Sequence, residues 1–270
     1  MVDIGAVLKT WDLIKQLEQC TELTRYFSRY NVTGITKGKV LDLSNTKCTY
    51  VGITYYWCQV TYPNTITNIH NDYCNAPVFV EGTDKLTTLS LVWNRAVSTE
   101  AQWEASIKSM ANVINLKSLK IMNTQNFKLE HLKYLSDLQY LETFEYNQDG
   151  DNKKYGKDVI SLDGIGNLKQ IKTLAVYSCI DMFDISDVAN CTNLKNLSIS
   201  YLPKLTDIYP IKNLINLTEL TMIGNKISDI SSLSSLVNLK YLNLNNNMIS
   251  DVYPLMNCTK LETLYIQNNT

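Results

Sequence analysis

Residues 217–238, LTELTMIGNKISDISSLSSLVN, and residues 239–260, LKYLNLNNNMISDVYPLMNCTK, are two copies of one pattern, and their alignment decides the fold. The pattern extends upstream as IKTLAVYSCIDMFDISDVANCTN over 171–193 and LKNLSISYLPKLTDIYPIKNLIN over 194–216. Downstream, LETLYIQNNT over 261–270 opens a further copy. The first residues, Ile171, Leu194, Leu217, Leu239 and Leu261, are thus 23, 23, 22 and 22 apart. A fixed period of that length marks a stack of identical supersecondary units, each unable to bury its apolar face alone.

Within a copy, positions 1, 4 and 6 are apolar, as in Leu217, Leu220, Met222 and Leu239, Leu242, Leu244. Alternation of that kind is a short strand with one face buried. Position 9 is Asn225, Asn247 and Asn269, an amide able to pair with main-chain groups that stacking would otherwise bury unsatisfied. Apolar residues three apart in the second half, Leu233, Leu236 and Leu239, suit a short helical or extended segment on the far side.

This pattern resembles the leucine-rich-repeat family, in the 22-residue class of bacterial internalins and Sds22-type phosphatase regulators. Its most specific words are Ile227-Ser228-Asp229-Ile230, Ile249-Ser250-Asp251-Val252 and Leu205-Thr206-Asp207-Ile208. The resemblance is strongest over 171–270. It implies an α/β solenoid, a horseshoe with a concave parallel β-sheet and an irregular or short helical convex side.

The frame continues upstream less evenly, through Leu86-Leu89-Leu91-Asn94, Leu116-Leu119-Ile121 and Leu141-Phe144-Tyr146. The extra length after Leu91 predicts a convex helix. Thr99 and Gln102 form a capping box there, and Trp103, Ile107, Met110 and Ile114 share one face. Further up, Leu23, Tyr26 and Asn31 read as a degenerate repeat and Leu41-Asp42-Leu43 as another strand. Residues 48–85 fit no repeat and are rich in Tyr, Trp and Cys. Helical spacing of Ile4, Val7, Leu8, Trp11, Ile14 and Leu17 predicts a capping helix over 3–19.

The expected organisation is a helical N-terminal cap with a degenerate repeat over 1–37, then irregular first repeats with an aromatic and cysteine-rich insertion over 38–85. Irregular leucine-rich repeats follow over 86–170, and regular ones over 171–270. Because an open sheet edge is a liability, the stack is expected to continue past Thr270.

The function classes narrow by composition. Twenty-five basic residues nearly cancel 26 acidic ones, and no basic block occurs, so no nucleic-acid partner is expected. No run approaches the roughly 18 apolar residues of a membrane span, and no signal peptide is legible, so a cytoplasmic monomer without membrane insertion is the expectation. A secreted or surface location follows instead if a leader has been removed.

Of seven cysteines, Cys191 and Cys258 occupy the core slot held by Leu214 and Leu236, Cys20 matches the same slot, and Cys179 takes the asparagine position. All four read as buried thiols. Cys48, Cys58 and Cys74 are left, with Cys58–Cys74 a conceivable disulfide in an exported protein and free thiols the favoured reading. Paired C-x2-C spacing for zinc is missing. A nucleophile would need His70 or His131, and no local motif supports one, Cys58 beside His70 included. The loop Asn147-Gln148-Asp149-Gly150-Asp151-Asn152, followed by Asp158, sets oxygens at calcium-loop positions, but Asn152 replaces the turn glycine, and Lys153, Lys154 and Lys157 oppose a cation. No cofactor, no metal and no catalytic residue are expected. Asn-x-Ser/Thr sequons at Asn31, Asn190, Asn196, Asn216, Asn257 and Asn268 are what this Asn-, Ser- and Thr-rich composition produces by chance.

If positions 1, 4 and 6 point inward, positions 3 and 5 face the concave side, flanked by 2, 7 and 8. The candidate partner-binding residues are Trp93, Tyr177, Tyr201, Glu219, Tyr241, Asn243 and Tyr265, with Lys172, Lys195 and Lys240 around them. Aromatic side chains on a rigid sheet, ringed by charge, are the usual material of protein-binding hot spots. The expected function is a non-catalytic protein-interaction scaffold, regulatory in the manner of the Sds22-type proteins. The alternatives are an internalin-like adhesin and the substrate-recruiting part of a larger enzyme.

Overall fold

The computed structural model describes residues 15–23, 25–28, 40–54, 59–72, 83–92, 99–122, 128–148 and 159–270. The chain divides into two compact units: residues 1–127 with 137–141, and residues 128–136 with 142–270.

The first unit holds strands β1 (Arg25–Ser28), β2 (Val40–Asp42), β3 (Tyr50–Thr54), β4 (Gln59–Thr61), β5 (Asn68–Asp72), β6 (Thr88–Val92) and β7 (Ser118–Met122), with helix α1 (Glu100–Ser109) between β6 and β7. Strands β1, β3, β5, β6 and β7 form one parallel ladder whose register aligns Tyr26, Val51, Ile69, Leu89 and Leu119. Residues 48–85, read from sequence as an insertion, therefore contain repeats in the same frame. Cys48, Ile66 and Leu86 are their buried first residues, 18 and 20 apart. Those copies are short and replace leucines with Cys, Val and Ile, so the 22-residue template passes over them.

Paired main-chain bonds at the entry to each strand hold their register. The amides of Thr67 and Asn68 both donate to the Thr49 carbonyl (2.9 and 3.1 Å), those of Thr87 and Thr88 to Thr67, and those of Lys117 and Ser118 to Thr87. Each entering chain thus satisfies the main-chain groups of its predecessor.

Leu41-Asp42-Leu43 is not a strand of this ladder. It pairs instead with β4 in a separate two-stranded sheet, and Asp42 Oδ1 accepts the Ser44 amide at 2.9 Å. That Asp-x-Ser turn recurs in the second unit at Asp184, Asp229 and their i+2 serines, on the side away from the main ladder.

Helix α1 begins with the predicted box: Thr99 Oγ1 accepts the Gln102 amide (3.3 Å), and Gln102 Oε1 accepts the Thr99 amide (2.8 Å). Trp103, Ile107 and Met110 are fully buried, but Ile114 is exposed. The α-helix gives way to a 3-10 turn at Met110–Asn112, which shifts the apolar face so that Val113 is buried instead. Of the expected N-terminal helix, residues 1–14 lie outside the described residues, and Gln16–Gln19 is a 3-10 turn that buries Leu17.

The second unit stacks β8 (Thr143–Asn147), β9 (Thr173–Tyr177), β10 (Asn196–Ser200), β11 (Glu219–Thr221), β12 (Tyr241–Asn243) and β13 (Thr263–Tyr265) in parallel, with Phe144, Leu174, Leu197, Leu220, Leu242 and Leu264 in one row. Far-side segments are 3-10 turns at Ser186–Asn190, Tyr209–Asn213, Ser231–Ser235 and Tyr253–Asn257. An aspartate precedes each: Asp184, Asp207, Asp229 and Asp251 accept the amide two residues on at 2.7 to 2.8 Å.

The asparagine column does what its position predicts. Asn247 donates to the carbonyls of Met222 (2.6 Å) and Leu244 (3.0 Å) while its Oδ1 accepts the Ile227 amide (3.2 Å), and Asn225 and Asn269 bridge their neighbours alike. A second column sits at the residue before each first leucine, where Asn193, Asn216 and Asn238 donate to carbonyls of the preceding copy at 2.8 to 3.0 Å.

Cys191 and Cys258 are buried in the leucine slot and Cys179 in the asparagine slot, as read from sequence. Cys20 is exposed. Its carbonyl accepts the Leu23 amide (2.9 Å) just as Cys191 accepts Leu194, so the register reading holds while the burial does not. Cys48, set aside at sequence level, is a buried free thiol. Cys58 and Cys74 lie outside the described residues.

Candidate functional site

The strands of the second unit present positions 3 and 5 outward because positions 4 and 6 fill the core: β8 and β9 alternate half-buried and buried residues along their length, and β10 does so as far as Ile199, its last residue Ser200 being buried. With the register constant from copy to copy, equivalent residues stand in columns about 4.8 Å apart across the sheet. Position 3 reads Thr173, Asn196, Glu219, Tyr241 and Thr263; position 5 reads Ala175, Ser198, Thr221, Asn243 and Tyr265.

The structure brings three of the expected residues together. The rings of Tyr241 and Tyr265 approach to 5.9 Å between centroids at an interplanar angle of 55°, a tilted aromatic pair. Tyr265 is 40% exposed. Asn243 lies between them but is buried: its Nδ2 faces Tyr241 Oη at 3.4 Å and its Oδ1 accepts the Asn245 amide at 3.1 Å. Through these bonds Asn243 steadies Tyr241 and the turn that follows β12.

Charge frames the pair at position 2. Lys172 pairs with Glu142, and Lys240 with Glu262 at 3.8 Å. All four are exposed, so each pair contributes little to stability and leaves its charges to the solvent side. Lys195 and Glu219 are exposed and make no ion pair among the described residues.

Tyr177 and Tyr201 belong to a different place. Tyr177 ends β9 half-buried; Tyr201 follows β10 in the left-handed region (φ 61°), exposed, and Gly224 sits against its ring. Tyr201 and Gly224, together with Ser178, Ile180 and Pro203, border an open groove of about 500 Å³. Asp181 and Lys204, next along the chain from Ile180 and Pro203, are ion-paired at 2.6 Å. Trp93 lies outside the described residues.

Sequence reading missed the exposed tyrosines of the far side, Tyr209 (63%) and Tyr253 (73%), each opening a 3-10 turn and each followed by proline. The repeated Asp-x-Tyr-Pro at 207–210 and 251–254 carries that signal.

The thiols are set against nucleophilic chemistry. Burial and the nearby Asp187 carboxylate push Cys191 up to about 12, and burial alone drives Cys179 upward, whereas a reactive thiolate needs the opposite shift. His131 is buried in the turn Leu129–Leu135, and His70 lies on β5. Among the described residues no three His, Cys, Asp or Glu side chains are grouped to hold a metal. Of the calcium-like loop, Asp149 to Asp158 lie outside them. No helix among them is long and apolar enough to cross a membrane.

The repeats match a known pattern. A family model for leucine-rich repeats, in two copies, matches residues 237–270. The fold is a leucine-rich-repeat solenoid. An internalin (inlF) of Listeria monocytogenes superposes with a TM-score of 0.53 at 23% identity, over 99% of this chain and 81% of that one. TLR13, solved in complex with ssRNA13, superposes with a TM-score of 0.55 at 15% identity, over 92% and 42%. The plant peptide hormone receptor RGFR1, solved in complex with RGF2, gives 0.50 at 16%, over 87% and 46%. At these identities the likeness is one of leucine-rich-repeat fold. No curated protein matches the sequence.

Proposed function

We propose that this leucine-rich-repeat protein is a monomeric interaction scaffold that binds a partner protein on the open face of the second unit's sheet. The tilted Tyr241–Tyr265 pair carries the reading. Tyrosines held on a sheet lose little conformational freedom on binding, and a charged rim around an aromatic centre is how binding hot spots are built. Lys172, Lys195, Glu219 and Lys240 are that rim. The balance of 25 basic and 26 acidic residues argues against a polyanionic partner such as nucleic acid. Five described cysteines, the exposed Cys20 among them, carry free thiols, which fits a reducing compartment inside a cell.

The test is a pull-down from the protein's own cell extract with wild type, a Tyr241→Ala/Tyr265→Ala double variant and a Tyr201→Ala variant, each checked for folding by circular dichroism. A partner retained by wild type and by Tyr201→Ala but lost by the double variant is the expected result. Loss on Tyr201→Ala alone moves the site to the groove, and equal capture by all three removes both.

A further inference from the structure

Position 2 of the second unit neutralises its own acids, Glu142 with Lys172 and Glu262 with Lys240. Glu145, at position 5 of β8, has interactions of its own. Glu219 is different: exposed, at position 3 of β11, and in no ion pair among the described residues. The strand register sets it directly opposite Tyr241, one strand spacing away, and Tyr241 leans on Tyr265. An exposed carboxylate with no ion pair among the described residues thus stands one strand spacing from Tyr241, whose ring meets that of Tyr265.

The three chemistries that an incoming side chain can offer separate cleanly here. An anion would be repelled by Glu219 beside the rings and drawn instead to Lys195, which makes no ion pair among the described residues. A neutral apolar group would cover the rings and desolvate Glu219 with nothing in return. A cation gains from both, since the ring faces attract positive charge and the carboxylate pairs with it. Between the two cations, guanidinium is planar, weakly hydrated and able to stack on a ring while donating two parallel N–H groups to a carboxylate; ammonium is compact and strongly hydrated.

We infer that Tyr241, Tyr265 and Glu219 form a receptor for an arginine side chain of the partner protein. The inference rests on the open-face reading and names the chemistry that the face selects. Lys195, one strand over and one residue earlier, is also without an ion pair among the described residues, so an acidic residue close to that arginine completes the match.

The test is a display selection in which random dodecapeptides are captured on the immobilised full chain and counter-selected on the folded Tyr241→Ala/Tyr265→Ala variant. Binders that depend on the tyrosines are expected to carry arginine, to weaken about tenfold on Glu219→Gln, and to weaken further when their arginine becomes norleucine. Glu219 is exposed and the exchange is isosteric, so the variant keeps its fold. Tyrosine-dependent binders that lack a basic residue, or ignore Glu219→Gln, overturn the arginine receptor and leave the open face standing. A selection that yields no peptide able to tell wild type from the double variant overturns both.

Discussion

Cys191 shows how a single residue can keep a repeat's shape while changing its chemistry. It fills the hinge slot that Leu214 and Leu236 fill in neighbouring copies, and its carbonyl accepts the Leu194 amide at 3.1 Å as theirs accept Leu217 and Leu239. A thiol there is a small hydrophobe with one liability: it ionises. In the folded chain its pKa is raised to about 12 from 9.0, so above pH 9 the unfolded chain releases a proton that the folded chain retains. Stability is therefore fully present below pH 9 and is lost as the pH rises from there toward 12, by about 1.4 kcal/mol per unit. Urea midpoints between pH 8 and 10.5 are expected to fall more steeply for wild type than for Cys191→Ala; parallel slopes would remove the thiol from the account. The slot was legible in sequence for Cys191 and Cys258 because leucines flank them in register. Cys20 has the same main-chain bond yet is exposed, since register says where a residue sits in its turn and nothing about what covers the turn.

The turn after each strand is the element that the repeat rule determines most narrowly. Position 8 is left-handed in every copy of the second unit from β9 onward: Ser178 (φ 60°), Tyr201 (61°), Gly224 (68°), Asn246 (59°) and Asn268 (57°). Gly and Asn are the residues that such a conformation favours, so the last three copies announce it and Ser178 and Tyr201 do not. A Cβ on Gly224 would stand 2.8 Å from Cδ1 of Tyr201, whose exposed ring can swing away. On Gly164 (φ 99°) it would stand 2.4 Å from the Leu129 carbonyl oxygen, which cannot. Gly224→Ala is thus expected to cost about 1–2 kcal/mol, partly recovered in the Tyr201→Ala background, and Gly164→Ala more than either. Chemical denaturation of the four variants and wild type closes the cycle; additive losses at 201 and 224 would mean that the ring is not the obstacle. Legibility at this scale followed spacing. The capping box of α1 could be read because Thr99 and Gln102 act locally, whereas the copies starting at Cys48 and Ile66 could not, because they are short, 18 and 20 residues, and set Cys, Val and Ile where the pattern expects leucine. The candidate face was legible as a set of outward positions. That Tyr241 and Tyr265 meet as a tilted pair depends on side-chain contacts across strands, which no linear pattern records.

At the scale of the whole molecule, a stack of repeats holds together by contacts between neighbours, so a residue's worth depends on how many neighbours its copy has. The inward leucine row of the second unit measures this directly. Leu174, Leu197, Leu220 and Leu242 are 0 to 2% exposed, while Leu264, on β13, is 42% exposed. The same leucine in the same register therefore contributes differently along the stack. Leu220→Ala, flanked by Leu197 and Leu242, leaves a cavity bounded on both sides and is expected to cost about 3 kcal/mol. Leu264→Ala removes a side chain that is 42% exposed and is expected to cost about 1 kcal/mol. Equal losses for the two substitutions, measured by urea unfolding, would show that exposure does not set the worth of this row. Tyr265 lies beside Leu264 on β13, so a partner that grips Tyr265 also holds that strand, and protection of the β13 amides from hydrogen exchange on binding distinguishes a ligand held at the tyrosine pair from one held at the groove beside Tyr201.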